Sequence, residues 1–148
     1  MKAVELKIPD MAKFASELEG DYDGARRAGL INLTADIEAY AVKGAPVRTS
    51  NLANSGGSDV NAAGTKGTVF FTALYAAFVH EGTGLYGPHK TKIVPKDKKA
   101  LFWPGAAHPV RSVRGMKGNP FLTDAAEAVD ANRSFSDGIN NYLRQRGR

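Results

Sequence analysis

The chain has 148 residues, 43% of them hydrophobic and 24% charged, with a net charge of +5. These values suit a single globular domain over residues 1–148 and exclude a disordered chain, while the lack of cysteine excludes disulfides, thiolate metal sites and cysteine nucleophiles. No apolar run approaches a membrane span, and the N-terminus lacks the apolar stretch of a signal peptide, so we expect a protein kept in the cytoplasm or in a particle assembled there.

The first third of the chain predicts a strand followed by helices. Apolar and polar residues alternate over residues 3–8, which is typical of a half-buried strand. Two apolar stripes at helical spacing follow, separated by an acidic, glycine-containing break at 20–24. The first stripe is Met11, Phe14, Ala15 and Leu18, and the second is Leu30, Leu33, Ile37, Tyr40 and Ala41. Lys43 and Gly44 end the second helix, and Pro46 prevents its resumption.

The middle of the chain predicts short antiparallel strands. β-branched and aromatic residues after a turn-like stretch at 63–67 predict a β-hairpin over 59–72. Further strands are predicted at 90–94, 99–103 and 109–113, joined by links too short for a crossover helix. The apolar segment 74–80 could be helix or strand.

The end of the chain predicts one long amphipathic helix. Asn119 and Pro120 supply an N-cap and a first helical residue, and Gly138 is the helix's weak point. Its stripe at three-four spacing is Leu122, Ala125, Val129, Asn132, Ser136, Ile139 and Leu143, with Phe121, Phe135 and Tyr142 beside it. The basic tail 144–148 is expected to fray. Helices, then a compact sheet, then a helix make an α+β fold.

No familiar catalytic or metal-binding motif is complete. His80 and Glu81 begin the H-E-x-x-H pattern, but Gly84 stands where the second His would be. His89 and His108 lie beside prolines in predicted loops. An enzyme would need one of these three histidines to meet an acid in a pocket, and we assign no catalytic, metal or cofactor residue.

Residues 82–87 fit G-x-G-x-x-G by letters alone. A dinucleotide site needs a strand before this motif and a helix after it, whereas Pro88 follows at once. The glycines therefore indicate turns.

Residues 86–118 form a basic segment, which contains eight bases and only one acid, Asp97. The bases are Lys90, Lys92, Lys96, Lys98, Lys99, Arg111, Arg114 and Lys117. They could contact DNA, RNA or an acidic protein face, or could serve only as a solubilising surface. Phe102 and Trp103 lie among them and could stack on bases, but strand-end core packing is favoured.

Four segments, in matching order and spacing, resemble the neck or tail-completion family of long-tailed bacteriophages, which includes head–tail joining and minor tail proteins. They are residues 48–55, 75–84, 100–104 and 110–122. They look like the family's V-x-T-G-x-L-x-x-S turn, Y-A-x-x-V-E-x-G-T stretch, apolar strand and K-x-x-P-F-L helix start. Ser50 stands where the family usually has Gly, and His80 intrudes before Glu81.

The resemblance implies a non-enzymatic α+β subunit with a long N-terminal helix and a C-terminal helix packed on a small antiparallel sheet. It implies a homo-oligomeric ring, six-fold or twelve-fold, that joins the tail to the DNA-filled head. The partners would be head-closure or connector proteins and tail terminator or tail tube proteins. The location would be the neck of the virion, assembled in the host cytoplasm, without cofactors.

For the basic segment we hypothesise an extended loop or hairpin at 90–99 that reaches the ring lumen or an adjacent ring. In the lumen it would contact genomic DNA independently of sequence, because phosphate attraction carries no sequence information. The competing hypothesis is a basic nucleic-acid-binding module without a virion role. Salt-dependent binding of duplex DNA by the monomer would favour that alternative.

Overall fold

The computed structural model describes residues 2–7, 22–46 and 50–147. Its elements are β1 (Lys2–Lys7), α1 (Tyr22–Gly44), α2 (Asn51–Asn54), β2 (Gly56–Val60), β3 (Lys66–Phe71), α3 (Ala76–Glu81), a 3-10 turn (Gly84–Tyr86), α4 (Phe121–Ala128) and α5 (Ala131–Gln145). The fold is α+β, with a long N-terminal helix and C-terminal helices on a three-stranded antiparallel sheet, which confirms the predicted class.

Internal contacts divide the chain into two compact units. The first unit is Met1–Ala73 with Phe121–Arg148, and the second unit is Leu74–Pro120. Each is described by itself below. The assignment of residues 1–148 to one domain stays a prediction.

Helix α1 is the centre of the first unit. Four members of its predicted stripe, Leu30, Leu33, Ile37 and Ala41, are buried, but Tyr40 is 50% exposed. Thr34 is buried as well, and its hydroxyl donates to the Leu30 carbonyl (2.9 Å), which satisfies this polar group inside the core.

The ends of α1 test the predicted boundaries. The helix ends at Gly44, as predicted, but it begins at Tyr22, inside the predicted break. Asp23 suits this first turn because the positive end of the helix dipole stabilises a carboxylate there. Ile8 and the predicted helix over 11–18 lie outside the described residues.

The sheet has the order β1-β3-β2, with β3 pairing antiparallel to both neighbours. The predicted hairpin at 59–72 is confirmed, although β2 already begins at Gly56. Its turn is fixed by the Asn61 side chain, whose Oδ1 accepts from the backbone N–H groups of Thr65 (2.9 Å) and Lys66 (3.0 Å).

One face of β3 is buried by Gly67, Val69 and Phe71. A Cβ at Gly67 would overlap the Thr34 methyl group, so glycine permits the sheet to approach α1 closely. The ring of Phe71 meets that of Phe121 edge-on, with centroids 4.9 Å apart, which ties α4 to the same core.

The prediction of one continuous C-terminal helix is wrong. The chain breaks at Val129 and Asp130, because the Asp130 carboxylate accepts from the Arg133 N–H (3.1 Å) and caps a new helix. The buried face of α5 is Ser134, Phe135, Gly138 and Ile139, so the predicted stripe members Asn132 and Ser136 lie off the core.

Helices α1 and α5 approach closely through glycines. A Cβ at Gly138 would lie 2.7 Å from the Ala28 carbonyl oxygen and 2.9 Å from Gly29 Cα. At Gly29 an added Cβ would lie 2.6 Å from the Phe135 ring. Gly138, expected to weaken the helix, is therefore the residue that lets the two helices pack.

The strands predicted at 90–94, 99–103 and 109–113 are wrong as strands. Residues 74–120, all of which the structure describes, hold only two isolated antiparallel bridges there, Ile93 with Val113 and Leu101 with Val110. The undecided segment 74–80 contains helix α3. None of the helices in the described ranges combines the length and apolarity needed to cross a bilayer.

Candidate interaction surface

The second unit is built on two chain segments, 82–87 and 113–119, that run side by side. The Thr83 N–H donates to the Met116 carbonyl (2.8 Å), and the Leu85 N–H donates to the Arg114 carbonyl (2.7 Å). The Met116 N–H returns a bond to the Thr83 hydroxyl (2.9 Å). Helix α3 joins this pair, because the Asn119 N–H donates to the Val79 carbonyl (2.8 Å).

Glycines allow these segments to touch. Gly84 (φ +62°) and Gly115 (φ +92°) both have left-handed backbones, and a Cβ on either would overlap a carbonyl of the opposite segment. The chain after Gly84 forms a short 3-10 turn. The structure thus agrees with turn glycines and not with a dinucleotide fingerprint.

The two isolated bridges leave two loops on the second unit. Between the bridges, residues 94–100 form a loop opposite Arg111 and Ser112. This loop carries Lys96, Lys98 and Lys99, all exposed. Residues 102–109 form the other loop, in which the Ala106 N–H donates to the Trp103 carbonyl (3.0 Å).

All eight predicted contact bases are exposed on the second unit. They are Lys90, Lys92, Lys96, Lys98, Lys99, Arg111, Arg114 and Lys117. Over Leu74–Pro120 they face two acids, Glu81 and Asp97, which gives this unit a net charge of +6. The exposure is as predicted, and the contact with DNA or protein stays a prediction.

The second unit also exposes large hydrophobic side chains. Of the twelve that are exposed in the described part of the chain, ten belong to this unit. They are Leu74, Tyr75, Phe78, Leu85, Tyr86, Ile93, Val94, Phe102, Trp103 and Met116. Phe102 (68% exposed) and Trp103 (46%) correct the expectation that they pack in a core.

Within residues 74–120 the only buried hydrophobic side chain is that of Ala76. A unit with so little core has no interior against which a large aromatic side chain could pack. The second unit therefore leaves most of its large apolar side chains at the surface, and such side chains mark interaction sites where they form a contiguous patch.

A groove of about 410 Å³ lies within the second unit. Its apolar wall includes Phe78, Ile93 and Val94, and the 82–84 turn lines it as well. Lys92 and Lys96 belong to its lining, and none of the described residues that line it is acidic. Sequence reasoning missed this groove, because local patterns do not show how residues 91–96 fold back towards Phe78 and the 82–84 turn.

The three histidines of the second unit differ in exposure. His80 is buried in α3, whereas His89 and His108 are exposed, and His89 lines the groove. In the described ranges no group of three or more His, Asp or Glu side chains could hold a metal ion.

A comparison of the chain with known protein families, with curated proteins and with solved structures finds no significant match.

Proposed function

We propose that this chain is a non-enzymatic structural protein of the head-to-tail junction of a tailed bacteriophage, where copies form a ring that joins the tail to the DNA-filled head. The observation that carries the proposal is the surface of the second unit. Ten large hydrophobic side chains and eight bases are exposed there over a unit with hardly any core. Such a surface suits a subunit that is covered by neighbours after assembly.

The order of the motifs supports the proposal that this surface belongs to a protein of the virion neck. Three of the four segments that resemble the neck family, 75–84, 100–104 and 110–122, overlap the second unit. The fourth contains Ser50, whose φ of +61° is a conformation in which glycine is favoured. The family usually has Gly at this position, so the backbone here is consistent with the resemblance.

A ring also fits the charge distribution. Ring contacts are heterologous, meaning that one patch of a subunit binds a different patch of the next. The second unit carries +6, and the rest of the chain carries −1. Contacts between unlike surfaces avoid the repulsion that two second units would experience.

The proposed partners are head-closure or connector proteins on one side and tail terminator or tail tube proteins on the other. The proposed location is the neck of the virion, after assembly in the host cytoplasm. The ring would be six-fold or twelve-fold.

The test is disruption of the gene in the phage that encodes the chain. We expect DNA-filled heads and free tails that fail to join, and a supplied copy should restore joining. Electron microscopy of the lysate distinguishes the outcomes, and a gold-labelled copy should appear at the neck of rescued particles. Normal particles without the protein would overturn the proposal.

A second candidate function is favoured by the eight exposed bases alone, namely a free nucleic-acid-binding module. The monomer would then bind duplex DNA with an affinity that falls steeply with salt, because each phosphate contact releases counterions. Mass in solution measured beside such a titration separates the two functions. A closed oligomer with negligible DNA binding favours the neck role.

A further inference from the structure

We propose that the groove of the second unit binds a segment of a partner protein in which an aromatic or branched apolar side chain is flanked by Asp and Glu. The inference rests on the proposed function in one respect: the partner is a neighbouring protein of the head-to-tail junction. It adds the chemistry by which that partner is recognised.

The apolar wall of the groove calls for an apolar anchor. Phe78 (60% exposed) and Val94 (58%) line it, and both are largely exposed in the described part of the chain. A volume of about 410 Å³ accepts one large side chain together with its adjoining backbone. Binding energy in protein interfaces is concentrated in such anchors placed in apolar pockets.

Because lysines lie at the rim of the groove, the partner segment should carry acidic residues beside its apolar anchor. Lys92 and Lys96 both line it and are exposed, and Lys90 is nearby in the sequence. The acid closest in sequence, Asp97, lies in the 94–100 loop outside the groove lining. A partner segment with carboxylates would pair with these lysines, and the pairing would steer its approach.

The same observations disfavour other occupants. A second unit from another copy would bring its own +6 to a positively charged rim, and repulsion opposes that contact. Duplex DNA would satisfy the lysines, but its bases are stacked inside the helix. Its exposed apolar groups are the thymine methyls in the major groove, which are too small to fill a wall made of Phe78, Ile93 and Val94.

The experiment is a selection from a library of random peptides on the immobilised full-length chain. We expect enriched peptides to combine Phe, Trp, Leu or Ile with neighbouring Asp and Glu. Fluorescence polarisation of a labelled selected peptide should show that Phe78→Ser, Val94→Ser and the pair Lys92→Glu with Lys96→Glu each weaken binding at least about tenfold.

Two matched variants serve as controls, Leu74→Ser for the apolar changes and, in the first unit, Lys43→Glu for the charge reversals. Leu74 is 91% exposed, and neither residue lines the groove, so peptide affinity should stay within about twofold. Circular dichroism spectra that match the parent show that each variant is folded.

The inference is overturned if the enriched peptides lack acidic residues, or if their binding survives all the groove changes. It is also overturned if a short labelled DNA duplex, and no peptide, loses affinity in the groove variants. Selected acidic peptides together with normal joining of heads and tails by the groove variants would instead count against the neck role and leave the ligand class standing.

Discussion

Ser50 has a left-handed backbone, with φ +61° and ψ −7°, directly before helix α2. For a residue with a Cβ this conformation costs about 1–2 kcal/mol, whereas glycine adopts it freely. At this position the backbone conformation favours glycine, but the residue is serine.

We expect Ser50→Gly to raise the free energy of unfolding by about 0.5–1 kcal/mol, because relief of this strain exceeds glycine's greater entropy in the unfolded chain. Urea denaturation followed by circular dichroism measures the change. Ser50→Val is the matched comparison and should be destabilising, because β-branched residues are disfavoured at positive φ. A loss of stability in Ser50→Gly would show that the serine side chain contributes more than its backbone costs.

At Gly84 and Gly115 the requirement is spatial as well as conformational. Gly84→Ala and Gly115→Ala should each destabilise the second unit by about 1–3 kcal/mol, because the new methyl group overlaps an opposing carbonyl. Hydrogen exchange of the Leu85 and Met116 amides reports the loss, since both bond across the two segments.

Gly105→Ala is the control for this pair. Gly105 also has a positive φ (+95°), but a Cβ there would meet nothing within 4 Å. It should therefore show only the conformational cost of about 1 kcal/mol, with unchanged exchange at Leu85 and Met116. Equal effects at all three glycines would mean that the close approach of the segments is unimportant.

At the level of elements, the contact between α1 and α5 depends on Gly138. Gly138→Ala should lower the free energy of unfolding by about 1–2 kcal/mol, because overpacking against Ala28 and Gly29 outweighs the better helix propensity of alanine. Asn140→Ala, at an exposed position of the same helix, should be neutral or slightly stabilising. If Gly138→Ala were as stable as Asn140→Ala, the helices could separate without cost.

Elements with a repeated local pattern could be predicted from sequence. The α1 stripe persists over several turns, and the 59–72 hairpin has both a turn composition and a β-branched, aromatic second strand, so each signal is reinforced along the chain. The break at Asp130 was missed because the three-four spacing continues across it through the polar residues Asn132 and Ser136, and only the side-chain cap shows where a new helix begins.

The isolated bridges at Ile93 and Leu101 are a case in which the sequence pattern was misleading. Short segments between Gly and Pro clusters suggested strands, but the loop 94–100 interrupts the pairing, and register between distant segments is not encoded in local composition. The eight bases could be placed at the surface because a run of charge is rarely buried. The groove could not be foreseen, since it exists only where α3 meets the chain near Val94.

For the whole molecule, the proposed role makes the 94–100 loop a contact with DNA or a neighbouring protein. Reversing Lys96, Lys98 and Lys99 to Glu should lower the yield of joined, DNA-filled particles by at least about tenfold, because attraction becomes repulsion at the contact. Particle counts by electron microscopy and plaque titres measure the effect. Unchanged assembly and DNA retention would remove the loop from the contact.

The control for that reversal is an equal change of charge in the first unit. Arg27, Lys43 and Arg144 are exposed there, and changing all three to Glu alters the net charge by the same amount. Joining should remain close to normal in this variant. A similar loss in both would indicate that total charge matters more than the loop.

The bases of the second unit have a consequence for the protein before it meets any partner. The ten exposed apolar side chains favour association between copies of the chain. The net charge of +6 on the same unit opposes it, because the copies repel each other. Salt shortens the reach of that repulsion to about 8 Å at physiological ionic strength and to about 3 Å near 1 M. We therefore expect the bases to keep free subunits in solution. A solution of free subunits should turn turbid as salt is added and clear again when the salt is diluted.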